Sequence, residues 1–99
     1  MRLRYTPRAT RDIARIYQHI ADNSPRAAQR VENAIRKRAK SLGDNPKIGV
    51  PTDLADVRRV PLARYPYTIF YRIVASAETV DILRVVHAAQ VRNLDQAPE

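Results

Sequence analysis

Apolar residues at Ala9, Ile13, Ile16, Tyr17 and Ile20 recur every three to four positions, with Arg8, Arg11, Asp12, Arg15 and Gln18 filling the gaps. That period places one apolar stripe on a helix. The helix is expected to open at Thr6-Pro7, a hydroxyl able to cap free amides followed by a proline suited to the first turn, and to close near Asp22 or Asn23. Ser24-Pro25 repeats the signal. A second stripe follows at Ala28, Val31, Ile35, Ala39 and Leu42, closed by Gly43 and Pro46. So short a link between two amphipathic helices predicts an antiparallel helical hairpin. Residues 43–56 hold both glycines and read as a loop, where Asp44, Asp53 and Asp56 fit turn chemistry better than metal-ligand spacing.

Beyond the loop the period drops to two. Residues 57–62 form a plausible strand that Pro61 marks as an edge or an end. Residues 67–74 (YTIFYRIV) and 80–86 (VDILRVV) are the strongest strands, joined by a short turn over 75–78 into a β-hairpin. Leu3, Arg4 and Tyr5 suggest a further edge strand at the start. The order β-α-α-β-β-β predicts an α+β fold: an N-terminal strand, then a two-helix antiparallel hairpin packed on one face of a small antiparallel sheet. At 99 residues this is one domain, 1–99, with residues 88–99 a polar C-terminal tail, loosely ordered unless a partner holds it.

Alternation divides the strand faces. Tyr67, Ile69, Tyr71 and Ile73, with Leu83, Val85 and His87, carry no arginine and are assigned to the helix side. Thr68, Phe70, Arg72 and Val74, with Ile82, Arg84 and Val86, fall on the other side. Two helices cover only one side of such a sheet. The outer side is therefore expected to expose an apolar patch studded with arginine, which points to a binding surface. A dimer contact, or cover from the C-terminal tail, is the other reading.

Charge sharpens this. Eighteen Lys and Arg against 10 Asp and Glu leave the chain at +8, which favours an anionic partner. The run Arg36-Lys37-Arg38 with Lys40 reads as a solvated helix face, with contact to phosphate or an acidic partner as the alternative. The absence of cysteine excludes a disulfide scaffold and a thiol nucleophile, and two histidines argue against a protein-built metal site. No signal peptide or membrane-length apolar run is visible, so a cytoplasmic protein is expected. No phosphate-cradling loop or Ser-His-Asp pattern is present, and no cofactor is implied. His87 is the best general-base candidate, although a histidine at a strand end is more often held by backbone or by a carboxylate such as Asp81. His19 reads as solvated. Arg58, Arg59, Arg64, Arg72 and Arg84 form a set from the sheet and its connections. Converging cations of this kind stabilise a developing phosphorane in metal-free ribonucleases, and bind acidic protein surfaces equally well.

Thr6-Pro7 with Asp12-Ile13, Ser24-Pro25-x-Ala27-Ala28, Asn45-Pro46-x-x-Gly49, Tyr67-x-Ile69-x-Tyr71-Arg72-Ile73 and Ile82-Leu83-Arg84-Val85-Val86-His87 together resemble the RelE/ParE superfamily of bacterial type II toxins. They span nearly the whole chain. The resemblance implies a toxin neutralised by a cognate antitoxin encoded beside it, and contact with operator DNA only through that antitoxin. RelE-like members cleave messenger RNA on the ribosome, whereas ParE-like members poison DNA gyrase. RelE-like ribonucleases place an arginine where this chain has Thr68, and a basic residue where it has Ala88 and Ala89. The wording around Arg64-Tyr65, Phe70-Tyr71-Arg72 and Val86-His87-Ala88 is closer to the ParE-like branch.

The expectation is thus a gyrase inhibitor with no enzymatic activity and no catalytic residues of its own. Arg58, Arg64, Arg72, Arg84 and Arg92 are candidate target contacts. Ile16, Ile20 and Phe70 are candidate antitoxin contacts. The alternative is a metal-independent, ribosome-dependent endoribonuclease using Arg64, Arg72, Arg84 and His87.

Overall fold

The computed structural model describes residues 1–91. Arg92 and the tail beyond it lie outside the described residues. The elements are β1 (Arg2–Tyr5), α1 (Pro7–Ala21), α2 (Pro25–Asp44), β2 (Val50–Pro51), β3 (Val57–Pro61), β4 (Tyr67–Val74) and β5 (Thr79–His87), with short 3-10 turns at Ala75–Ala77 and Ala88–Gln90. Both helices begin as their sequences specify. The Thr6 hydroxyl oxygen accepts from the Ala9 amide at 3.1 Å and the Ser24 hydroxyl oxygen from the Ala27 amide at 3.1 Å, each followed by proline in the first turn.

The five strands lie in the order β1-β5-β4-β3-β2. β4 and β5 pair antiparallel at the centre, and β3 and β2 continue antiparallel outward. β1 lies parallel to β5, which the intervening helical hairpin makes possible, so the α+β architecture carries a mixed sheet. Two-residue β2 sits inside the segment read as loop. Near it Asp56 adopts φ 64°, a left-handed turn conformation that aspartate tolerates.

The main core lies between the hairpin and the sheet. Ala9, Ile13, Val31, Ile35, Ala39 and Leu42 pack on Val60, Ile69, Tyr71, Val80, Ile82 and Val85. A second cluster fills the opposite face, and here expectation and structure part. Val57, Phe70, Leu83 and Val86 are between 0% and 7% exposed, with Leu54 and Val91 packed over them. The outer face is therefore covered rather than open. The two central strands read as nearly unbroken apolar runs because both of their faces are buried.

Strict alternation also fails in β5, for a local reason. Phe70 is opposite Arg84 while Tyr71 is opposite Ile82, so Leu83 and Arg84 together face one residue of β4. This β-bulge breaks the period of two. Ile82 joins the main core instead of the outer side, and Leu83 joins the outer cluster instead of the helix side. Arg84, expected on the outer face, reaches back to α1.

Candidate functional site: two grooves beside the helical hairpin

The bulge is pinned from the helical side. Thr6 accepts the capping bond described above, and its own hydroxyl donates to the Leu83 carbonyl at 3.2 Å. Its amide donates to the Ile82 carbonyl at 3.1 Å. Six residues on, Asp12 takes three bonds. Its Oδ2 accepts from Arg84 Nε at 2.7 Å and from the Val85 amide at 3.0 Å, and its Oδ1 accepts from Arg84 Nη2 at 3.2 Å. The two side chains are 13% and 12% exposed, so this is a largely desolvated, two-pronged ion pair. Asp12 was assigned to the polar side of the helix. The available signal was its spacing: three residues after Ala9 and four before Ile16, an acid on the margin of an apolar stripe.

This clamp forms one wall of a groove of about 400 Å³ between α1 and the end of β5. Asp12, Arg15, Ile16 and His19 line it from successive turns of one helix face, and Tyr67, His87 and Gln90 face them. Both histidines of the chain thus border one groove. His87 is held by backbone, as its structural reading anticipated. Its Nδ1 accepts from the Ala89 amide at 3.0 Å, and its ring meets Tyr67 edge-on at 5.7 Å. Asp81, the carboxylate considered for it, is bound to Arg4 instead, at 2.8 and 3.0 Å.

A larger groove, of about 810 Å³, runs between α2 and the segment leading from β3 to β4. Arg30, Asn33, Ala34, Lys37, Arg38 and Ser41 form its helical wall, with Pro61, Leu62, Ala63, Arg64 and Tyr65 opposite. The 45–49 loop is tied down separately. The buried Tyr71 hydroxyl donates to the Pro46 carbonyl at 2.6 Å and accepts from the Gly49 amide at 2.9 Å, and Arg58 Nη1 donates to the Gly49 carbonyl at 2.7 Å. Burial pushes the Tyr71 phenol above its ordinary pKa, against smaller opposing effects of the Gly49 amide and of Arg58 and Arg38.

The arginine set does not converge. Arg58 holds the 45–49 loop, and Arg64 is exposed on the larger groove. Arg72 lies half-buried on β4, opposite Asp81 of β5 and Val57 of β3. Arg84 is engaged by Asp12, and Arg92 is outside the described residues. Among the antitoxin candidates, Phe70 is fully buried in the outer cluster, so its expected exposure is corrected by the cover on that face. Ile16 and Ile20 are half-buried against the main core. Among the described residues no group of three His, Cys, Asp or Glu is placed to hold a metal ion, and no helix is long and apolar enough to cross a membrane.

This layered fold, with a two-helix hairpin on one side of a bulged sheet, is that of toxins from bacterial toxin–antitoxin pairs. It superposes on a chain of the chromosomal ParDE system of P. aeruginosa with a TM-score of 0.77 and 28% identity, covering 88% of this chain and 95% of that one. A chain of the RelBE2 complex of Mycobacterium tuberculosis matches at 0.64 and 30% identity, covering 87% and 95%. A chain of the E. coli RelBE complex shares the fold at 0.68 with 16% identity, over 87% and 94%. In sequence, the Sinorhizobium fredii protein named "Putative toxin Y4kP" is 38% identical over 89 residues, 90% of each chain. Residues 3–92 match the family model described as the ParE toxin of the type II toxin–antitoxin system parDE. The chain belongs to this ParE toxin family, within the wider ParE/RelE superfamily of type II toxins.

Proposed function

We propose that this chain acts in the cytoplasm by binding DNA gyrase, with no chemistry of its own, and that a cognate antitoxin neutralises it. The observation that carries the reading is the dispersal of the arginines: Arg84 borders the same groove as His87 but is spent on Asp12, and Arg64 lies on the other groove. Metal-free RNA cleavage needs a general base and cations gathered within bonding distance of one phosphate. Here Arg84 is held by Asp12 at 2.7 Å, Arg58 holds the Gly49 carbonyl, and Arg64 does not line the groove of His87, so no two arginines of the set converge on that histidine. The ParDE and RelBE neighbours are toxin–antitoxin systems, which supports an antitoxin partner. Contact with operator DNA then comes indirectly, through that antitoxin.

Induced expression in a bacterium tests the choice of target. Filamentation with chromosome breaks and intact transcripts is the expected result. Ribosome-dependent cuts in messenger RNA would overturn it and return Arg64, Arg72, Arg84 and His87 to a catalytic role.

A further inference from the structure

The floor of the larger groove belongs to the main core, but the charges along its walls serve neither the core nor the clamp. Its helical wall, Arg30, Asn33, Ala34, Lys37, Arg38 and Ser41, is one stripe repeating every three to four residues along α2. Arg64 faces that stripe from the other bank. Four cations therefore border one concavity, and no carboxylate lines it. None of the four has an ion pair among the described residues. The contrast lies one residue away. Arg36 points elsewhere, bonded to Glu32 at 2.9 Å and set over the Tyr5 ring at 5.1 Å. Like charges gathered in a concavity repel one another and focus a positive field outward. The folded chain gains nothing from that arrangement by itself, whereas an anionic partner does.

The kind of anion follows from the floor. Ala34, Leu62 and Tyr65 place apolar surface between the cations. A phosphodiester backbone by itself has nothing apolar to set against them, and of the three only Tyr65 offers a ring on which a base could stack. An amphipathic peptide has apolar side chains for the floor and carboxylates for the rim.

We propose that the groove walled by Arg30, Lys37, Arg38 and Arg64 over Ala34, Leu62 and Tyr65 receives an acidic, amphipathic segment of the antitoxin. This rests on the toxin–antitoxin reading above. It takes the place of Ile16, Ile20 and Phe70 as the primary contact, because Arg30, Lys37 and Arg64 are exposed cations gathered at its rim. The pairs at its rim set association rate and salt dependence as well as affinity.

The test uses the full chain with the antitoxin from the adjoining reading frame. Hydrogen exchange of wild type, free and bound, should show protection concentrated in residues 30–41 and 61–65. The Arg30→Glu/Arg64→Glu variant, checked for fold by circular dichroism, should bind on the order of tenfold more weakly or worse near physiological salt. Its salt dependence should be shallower, and Arg30→Lys/Arg64→Lys should retain most of the affinity. Wild-type affinity in a folded double Glu variant, or protection elsewhere, would overturn the groove assignment and leave the toxin–antitoxin reading standing. No complex with wild type would overturn both. Protection of these segments by a short DNA duplex and not by the antitoxin would overturn the peptide in favour of a phosphate partner.

Discussion

Removing the Asp12 carboxylate should be among the most damaging single changes in this protein that spare its apolar core. Asp12→Ala deletes both prongs of the Arg84 pair and the acceptor of the Val85 amide. Loss of one partner from a buried ion pair costs about 3–5 kcal/mol, because the other charge is left without compensation. The 13% exposure of Arg84 lets water recover part of that. The orphaned amide adds about 1–3 kcal/mol unless water reaches it. A net loss of about 3 kcal/mol follows, roughly 15 °C in melting temperature for a domain of this size. Most small domains survive such a loss folded but marginal. Asp12→Asn keeps one acceptor without the charge and should fall between. The chain has no tryptophan, so urea unfolding is best followed by far-ultraviolet circular dichroism. A double-mutant cycle with Arg84→Met should give a coupling above about 1.5 kcal/mol. For contrast, the exposed Arg36–Glu32 pair on α2 should yield under about 0.5 kcal/mol on Glu32→Ala. A folded Asp12→Ala within about 0.5 kcal/mol of wild type, with no coupling to Arg84, would refute the clamp as a stabilising element.

Four further outcomes are expected. A Cβ built on Gly49 falls 2.6 Å from the Tyr71 hydroxyl and 2.7 Å from the Arg59 carbonyl, so Gly49→Ala must displace the 45–49 loop and should cost about 2 kcal/mol in urea unfolding. Tyr71→Phe loses the bonds to Pro46 and Gly49 and should cost about 1–2 kcal/mol by the same assay. The raised Tyr71 pKa gives a pH signature. The folded state holds the phenolic proton more tightly than the unfolded chain, so this contribution is intact below about pH 10 and is lost as pH rises through the folded value. Wild type should therefore destabilise more steeply in alkali than Tyr71→Phe, and parallel curves in a pH series of melting temperatures would contradict this. Thr6→Val removes the α1 cap and the bond to Leu83 together, and should lower stability by about 1–2 kcal/mol on thermal melting.

The elements were legible in the chain because their causes are local. Thr6-Pro7 and Ser24-Pro25 begin helices through bonds within one turn, and the stripes from Ala9 and Ala28 announce which faces are buried. The runs at 67–74 and 80–86 became β4 and β5 within a residue at either end. What alternation could not reveal was the bulge opposite Phe70, because an extra residue in β5 has meaning only against the register of β4. That displacement sent Arg84 to Asp12, 72 positions away, and made an arginine assigned to the outer surface part of an internal clamp. Cover over Phe70 by Leu54 and Val91 is likewise a matter of chain return. The basic run on α2 was plain in the sequence. Its division was not: Arg36 turned to Glu32 and Tyr5, while Lys37 and Arg38 joined Arg30 and Arg64 on a groove. Local pattern sets which residues can be helical, extended or buried. Which charges are spent internally and which remain for a partner depends on distances that exist only once the chain has closed on itself.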